Sequence, residues 1–454
     1  ISSCITFSIV INLLISLQDL GIKSFEAIQI MPGLSIAFML EPLGIIFAAV
    51  ASFLWGITVI YAIGYMRDHG EKNQTRFFAY FSIAIGSAIG IAFAGNLLTL
   101  FLFYEILTLC TFPLVAHHGN NKARKAGRIY LGVLLGTSIT LQLFAIIWTY
   151  LLTGTLDFTS SGIMEPYLQG PLVGVLLALY VFGIGKAAIM PFHNWLPAAM
   201  VAPTPVSALL HAVAVVKAGV FSIVKVIVYI FGINFLTNEN STTWLIYVAG
   251  FTIITASIIA IKQTNLKKLL AYSTISQLSY IIIAALLLSP LSLIGGTVHI
   301  VAHALGKITL FFAAGAIMVT AHKTDLSEMS GIGKKMPLTM LSFSIGALSM
   351  IGLPPTFGFI SKWYILQGSM DVENIFTALV IITSTLLNAG YFLPIIYNAF
   401  FRPEAPHEPG LHNHGEASKP IIFAMCASAL LTIVFFFFPD PILELGQNLI
   451  REEP

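Results

Sequence analysis

Apolar runs of membrane-spanning length recur along this chain between short polar segments, and this repetition limits the folds open to it. A helix needs about 20 apolar residues to cross the hydrocarbon core of a bilayer, and by that measure we predict about thirteen spans. The composition agrees, since 57% of the 454 residues are hydrophobic and only 9% are charged. Soluble domains carry about 25% charged residues. We therefore expect an all-α, multi-pass protein of the cell inner (plasma) membrane, embedded in the lipid bilayer.

The predicted spans fall into groups separated by longer polar segments. Proline and glycine interrupt two spans, at 191–205 and at 351–359, which suggests a chain built from two similar halves. The opening residue, Ile1, already lies in an apolar run, so we expect a further helix before it. The expected segments are N-terminal helices at 1–66, a first repeat at 78–231, a second repeat at 243–400, a polar loop at 402–420, and a C-terminal helix and tail at 420–454.

Charge and cysteine content exclude several classes of function. The net charge is +2 and no run of like charges is present, so we expect no nucleic-acid partner. The three cysteines, Cys4, Cys110 and Cys426, are isolated in apolar surroundings, which argues against zinc or iron–sulfur ligation. No dinucleotide or flavin fingerprint occurs, so we expect no cofactor and no metal, and we assign any redox chemistry to partners.

The positions of lysine and arginine predict the orientation of the chain. Short loops that remain on the inner side of a membrane are enriched in both residues. The loops 67–76 and 117–128 are rich in them, and we place both inside. The later segments 262–268 and 322–335 are also basic, and they break strict alternation if each span is counted once. We interpret the loop 402–420 as a solvated connector rather than a zinc site, although it contains His407, His412 and His414.

Ionisable residues inside the predicted spans are the strongest functional signal. A charged side chain at mid-membrane costs at least about 2.5 to 3.5 kcal/mol, so it usually faces water or protein and has a role. Burial makes a lysine ammonium easier to deprotonate, and a nearby carboxylate opposes that effect. A series of buried lysines with one acid therefore predicts a proton relay. The five candidate positions are Glu105, Lys186, Lys217, Lys307 and Lys362.

Structural interpretations of these charges remain open at this point. Glu105 and one lysine could form an ion pair that holds two helices together. Lys362, after its proline-rich break, could extend to the membrane interface. Each break could be a simple proline kink, but both lie beside a buried lysine, Lys186 or Lys362. Non-helical backbone at membrane depth is tolerated only where it is buried in protein or lines water.

A second cluster of candidate residues lies on one predicted helix. His299, His303 and Lys307 are four residues apart from one another and should line one face. The histidine pair lacks the glutamate of an HExxH zinc motif and an assigned third ligand. We therefore favour histidines that carry protons beside Lys307 over a metal site.

Four segments of the chain carry a resemblance to a known family. "PFHNWLPAAMVAPTPVSALLHA", "LKKLLAYSTISQLSY", "HIVAHALGKITLFFAAG" and "GLPPTFGFISKW" resemble the hallmark segments of proton-translocating antiporter-like subunits. These occur in respiratory complex I, membrane-bound hydrogenases and multisubunit Mrp sodium/proton antiporters. The resemblance implies about fourteen helices with two inverted five-helix repeats, each containing a broken helix. It also implies roles for five groups: Glu105 as the acid, Lys186 in the first broken helix, Lys217 with His211 in a relay, Lys307 as the central lysine, and Lys362 as the exit lysine.

The subunit type within the family is a finer expectation. The chain ends soon after the second repeat and keeps Lys362 in "GFISKW", which favours a resemblance to the D-type component of Mrp antiporters. A component of a complex I-like oxidoreductase or hydrogenase is the alternative, and it would be a non-redox component. Either implies other membrane subunits as partners, with protons and Na⁺ as the ions moved. A stand-alone secondary transporter is less favoured, because Glu105 is the one acid predicted at mid-span.

Overall fold

The computed structural model describes residues 1–403 and 415–451, and most of this part is helical. Within these ranges, eleven helices are long and apolar enough to cross a membrane, and two apolar helices are shorter. The expected all-α, multi-pass architecture is confirmed. The main helices are α1 (Ser2–Leu20), α2 (Pro42–Asp68), α3 (Gln74–Ala92), α4 (Leu97–Val115), α5 (Asn121–Thr153), α6 (Pro171–Gly183), α7 (Thr204–Phe231), α8 (Thr243–Ile261), α9 (Leu266–Leu286), α10 (Pro290–Ala321), α11 (Pro337–Ile351), α12 (Phe357–Asp371), α13 (Ile375–Phe401), α14 (Lys419–Phe437) and α15 (Asp440–Arg451).

The two short apolar helices, α6 and α11, are the first parts of broken helices. Helix α6 continues through short turns at Gly185–Ala187, Trp195–Ala198 and Ala199–Val201, and α11 continues into α12. Each broken helix makes one crossing. Together with the eleven long helices, the two broken helices give thirteen crossings, the number predicted. The remaining short helices lie in connections, at Ile233–Glu239, Leu326–Met329 and Ile332–Lys334.

A β-hairpin precedes α2, within the N-terminal segment 1–66 that we predicted to consist of helices. Strand β1 (Lys23–Met31) pairs antiparallel with β2 (Leu34–Leu40). Pro32 and Gly33 occupy the turn, and Gly33 has a φ of 74°. Proline followed by a glycine with positive φ is the sequence of a type II turn, and it prevents a helix at this point. The prediction of helices throughout 1–66 was therefore wrong, and the hairpin instead bonds through Ala37 and Met39 to the α3–α4 connection.

The basic connections all lie at one end of the bundle. Backbone hydrogen bonds join the α8–α9 and α10–α11 connections, from Leu266 to Thr324 and from Leu326 to Thr264. At the same end, the Arg76 guanidinium donates to the carbonyl oxygen of His117, which links the α2–α3 and α4–α5 loops. The predicted break in alternation was wrong: with every span counted once, broken helices included, segments 262–268 and 322–335 follow the eighth and tenth crossings and lie on the same side as the two earlier basic loops. The distribution now fits the positive-inside rule throughout the described loops.

Two helices form the centre of the bundle. In α7 and α10, every residue of the apolar 18-residue stretch that could span the membrane is buried, whereas in α1 only 17% of that stretch is buried. Side chains on α7 and α10 are therefore surrounded by protein along most of each helix. Lys217 and Lys307 lie on these two helices, which places them farthest from lipid.

The polar loop that we interpreted as a connector lies largely outside the described residues, and so do His407, His412 and His414. The predicted domain limits and the inverted repeats stay predictions. In the tail, the described part contains α15, which packs against α2 and α10 through apolar residues such as Ile442 and Leu449.

Candidate proton-translocation site

The first broken helix positions Lys186. Helix α6 ends at Gly183, where a Cβ atom would overlap the backbone of Gln142, so the chain leaves the helix against a closely packed neighbour. The freed backbone groups have side-chain partners. The amide of Lys186 donates to the Tyr104 hydroxyl at 3.1 Å, and the Trp195 indole donates to the carbonyl of Gly185 at 3.0 Å. This satisfies the requirement that polar backbone at membrane depth be paired.

The Lys186 ammonium lies in a neutral cage. Its Nζ donates to the Tyr104 carbonyl at 2.8 Å and to the Thr108 hydroxyl at 2.5 Å, and it lies 3.1 Å from the centroid of the Tyr104 ring. Lys186 is fully buried. Among the described residues, no carboxylate oxygen lies within 4.0 Å of the Lys186 ammonium.

Glu105 lies nearby without bonding Lys186. Both of its carboxylate oxygens are buried and have no hydrogen-bond partner, although the group is close enough to interact electrostatically with Lys186. The ion pair that Glu105 could form with a lysine is therefore not made with Lys186 in this conformation. The carboxylate lies near the ammonium without a direct bond to it.

The second broken helix positions Lys362. Gly352, with a φ of 89°, ends α11, and a Cβ atom at Gly358 in α12 would overlap the carbonyl of Ser349. The Lys362 ammonium donates to the Met350 carbonyl at 2.8 Å and to the Ile351 carbonyl at 3.0 Å. These carbonyls form the negative end of the α11 dipole, which favours a cation there. Lys362 is 5% exposed, so the alternative of a lysine that reaches to the interface is wrong.

The central group lies on α10. Positions four apart in a helix rotate by about 40° per step, so His299, His303 and Lys307 lie along one side but reach different neighbours. His299 Nδ1 lies 2.8 Å from the Ser361 hydroxyl, and His303 Nδ1 lies 2.8 Å from the Lys217 ammonium. Lys307 contacts α9, where Ser273 accepts at 2.7 Å and the carbonyl of Leu270 at 3.2 Å. The contacts of this group join α7, α9, α10 and α12.

His211 is a predicted site residue that makes no side-chain hydrogen bond. It is fully buried in an irregular turn of α7, Leu209–Val213, with its ring centroid 4.7 Å from that of Phe311. Neither ring nitrogen has a hydrogen-bond partner. The structure thus bonds Lys217 to His303, places Lys307 one turn further along α10 with its bonds to α9, and leaves His211 without a direct bond to any of them.

Sequence reasoning missed a buried ion pair. Glu41 and Lys225 are fully buried and 3.2 Å apart. The Glu41 carboxylate also accepts from the amides of Leu43 and Gly44 and from the Tyr229 hydroxyl at 2.8 Å. Both residues lie in predicted spans, so the search that found the other five positions could have found them. Glu41 caps the start of α2 and does not lie within the helix, so it does not contradict the expectation that Glu105 is the one acid at mid-span.

Fold and site together define a polytopic membrane protein with a polar axis of lysines and histidines through its centre. The family described as "NADH:quinone oxidoreductase/Mrp antiporter, TM" matches residues 94–388, and "NADH-Ubiquinone oxidoreductase (complex I), chain 5 N-terminus" matches 31–78. The chain belongs to this family of antiporter-like membrane subunits. The predicted resemblance is confirmed.

Relatives come from both kinds of assembly. The chain is 33% identical over 393 residues to NADH-quinone oxidoreductase subunit N of Desulforudis audaxviator, covering 84% of this chain and 77% of that protein. It is also 33% identical over 394 residues to the A/B component of a probable K⁺/H⁺ antiporter of Rhizobium meliloti, covering 83% of this chain and 38% of that protein. A chain of the Mrp complex from Dietzia sp. shares the fold with a TM-score of 0.86, at 21% identity, over 99% of this chain and 90% of that one.

Proposed function

We propose that this chain is the proton-translocating membrane subunit of a multisubunit cation(Na⁺)/proton antiporter. Other membrane subunits of the complex are its partners. The observation that carries the proposal is that the four relay lysines form hydrogen bonds to neutral groups and none to a carboxylate among the described residues. The proposed path comprises Glu105, Lys186, His211, Lys217, His299, His303, Lys307 and Lys362.

Neutral partners suit a lysine that must lose its proton. A carboxylate stabilises the ammonium form, whereas carbonyls, hydroxyls and imidazoles compensate burial only in part. Lys186, Lys307 and Lys362 bond to carbonyl and hydroxyl oxygens, and Lys217 bonds to an imidazole. Lys225 is the contrasting case, because its Glu41 partner holds it as a cation.

The transfer between α7 and α10 needs the least movement. At 2.8 Å, Lys217 Nζ and His303 Nδ1 lie within hydrogen-bond distance, so one proton can pass between them directly. An imidazole can accept a proton at one nitrogen and release one from the other. His303 Nε2 is buried and unbonded, which leaves it available for the next transfer toward Lys307, one turn away.

A complex I-like oxidoreductase is the second candidate. The relative that is 33% identical over 84% of this chain is named as a subunit of an NADH-quinone oxidoreductase. In such an assembly the same lysines would carry the protons, and redox groups would belong to partner subunits. Identifying the subunits that purify with this chain distinguishes the two candidates.

The relay is tested in proteoliposomes that contain the whole native complex. Lys307→Ala should abolish proton flux, because alanine leaves no group there that can take up or release a proton. Lys268→Ala, at an exposed lysine of α9, is the matched control and should retain flux. Flux near the unmutated level in Lys307→Ala would overturn the proposal. A Na⁺ counterflow that vanishes together with proton flux would support the antiporter over the oxidoreductase.

A further inference from the structure

A hydrogen-bonded chain of side chains connects Lys307 with Lys362. Lys307 Nζ donates to the Ser273 hydroxyl at 2.7 Å, and Ser273 lies 2.9 Å from the Tyr391 hydroxyl. Tyr391 bonds to Oδ1 of Asn388 at 2.5 Å, and Nδ2 of Asn388 donates to the Met350 carbonyl at 3.2 Å. The same carbonyl accepts from Lys362 at 2.8 Å.

The bonding capacity of each group fixes the direction of this chain. The Met350 carbonyl can only accept, so the amide nitrogen of Asn388 faces it and Oδ1 faces Tyr391. Tyr391 has one hydroxyl proton, and Oδ1 of Asn388 requires it. Ser273 is the other acceptor within reach of that proton, but it already accepts from the Lys307 ammonium. While Lys307 is charged, the Tyr391 proton therefore serves Asn388.

The sequence of α13 independently marks these residues as an inward face. Ser384, Asn388 and Tyr391 are spaced four and three residues apart, which places them on one side of the helix. All three are buried, whereas only 39% of the apolar 18-residue stretch of α13 that could span the membrane is buried. A largely lipid-facing helix thus directs its polar residues at the two lysines.

We propose that Tyr391 and Asn388 are positioning residues that couple the protonation of Lys307 to the hydrogen bond between Lys362 and the Met350 carbonyl. The inference rests on the proposed function. When Lys307 gives up its proton, its amine nitrogen becomes an acceptor, and the Ser273 hydroxyl turns to donate to it. Tyr391 then donates to Ser273, and Asn388 Oδ1 loses its donor. The carboxamide is freed to release Met350, so the carbonyl is left to Lys362 alone.

An amide is a poor proton carrier, so this chain transmits an orientation and carries no proton of its own. The protonation of Lys307 thereby changes the hydrogen bonding of the Met350 carbonyl oxygen, which binds Lys362. The coupling acts through hydroxyl and amide rotations and needs no movement of a helix.

The test measures proton flux and its pH profile in proteoliposomes of the whole complex. Tyr391→Phe keeps the ring and removes the hydroxyl, and we expect a fall in flux on the order of tenfold, within the range of coupling in one hydrogen-bond network. Its pH profile should also move. The double variant Tyr391→Phe with Asn388→Leu should be no worse than either single variant. Tyr180→Phe is the matched control, since it removes a buried hydroxyl bonded to Thr149.

Variants at Ser273 separate hydrogen bonding from packing. Ser273→Ala should behave like Tyr391→Phe, and Ser273→Thr should restore flux because it keeps the hydroxyl. A packing role predicts the opposite order, since threonine adds a methyl group to a buried site. These variants also decide the matter if Asn388→Leu fails to assemble.

Measuring Lys307→Ala in parallel distinguishes the coupling through Tyr391 and Asn388 from the proton relay itself. If Lys307→Ala abolishes flux while Tyr391→Phe stays within about twofold of the unmutated level with an unchanged pH profile, the coupling inference is overturned and the relay stands. If Lys307→Ala retains flux, both fail.

Discussion

The Lys217 ammonium lies 2.8 Å from Nδ1 of His303, across the interface between the two most buried helices of the bundle. Two basic groups at this distance compete for one proton, because both cannot be charged in a site without a carboxylate. The pair therefore has two states that differ only in which residue holds the proton. Protonation elsewhere in the axis can bias the choice, since Lys307 interacts electrostatically with both.

The two residues should act as one unit in transport. Lys217→Met and His303→Phe should each lower proton flux by at least about tenfold, and the double variant should be no worse than the more severe single one. Flux assays in reconstituted complex measure this. Ser222→Ala, also on α7, is the control because its hydroxyl bonds only within its own helix, to Ala218. Additive losses would show that the residues work independently.

Lys186 is expected to need a proton that can leave. Lys186→Arg should fail like Lys186→Ala, because a guanidinium keeps its proton at any relevant pH. Glu105→Ala should also abolish coupled transport, and combining it with Lys186→Ala should add little. Co-purification of the partner subunits checks that assembly is intact. Normal flux in Lys186→Arg would mean that a fixed positive charge suffices, and the relay would have to be abandoned.

The Glu41–Lys225 pair should matter for stability. Removing one partner of a buried ion pair costs about 3 to 5 kcal/mol, because the other charge is left uncompensated. Lys225→Met should therefore lower the thermal unfolding midpoint of the purified complex. Adding Glu41→Gln should recover part of the loss, since the remaining charge is removed. An unchanged midpoint in Lys225→Met would contradict this assignment.

Gly219 lies where α7 meets the first broken helix. A Cβ atom there would overlap the backbone of Lys186 and Ala187, which has no room to shift as a flexible side chain would. Gly219→Ala should displace Lys186 and abolish flux. Gly132→Ala is the control, since nothing lies within 4 Å of its added methyl group. Equal flux in the two variants would show that the contact is dispensable.

His117, outside the spans, provides a prediction for pH. Burial lowers the pKa of its imidazole below the ordinary value near 6.5, and the opposing effect of Glu71 is smaller. The unfolded chain then binds more protons than the folded one below that value, so this residue makes stability fall as pH decreases. His117→Phe should reduce the drop in unfolding midpoint between about pH 7.5 and about pH 5.5, a window that spans the ordinary value. His322→Gln, at an exposed histidine, should leave that drop unchanged.

The sequence predicted the helices and the site lysines because both depend on one strong signal, the contrast between apolar spans and isolated charges. It could not predict partners. The sequence left open an ion pair between Glu105 and a lysine, but Lys186 bonds Tyr104 and Thr108, since the break turns it toward the α4 backbone. Asn388 and Tyr391 were overlooked because neutral polar residues are common in spans. Their importance depends on which neighbour they face, and only the packing of α13 supplies that.

The basic loops at one end of the bundle have a consequence for biosynthesis. Each pair of crossings returns the chain to the same side, and positive residues are present at the return between α2 and α3, between α4 and α5, between α8 and α9, and between α10 and α11. During insertion, each of these loops therefore favours the same orientation of the helices on either side of it. Neutralising a single loop should leave the remaining hairpins correctly threaded, so errors of orientation during synthesis are corrected locally.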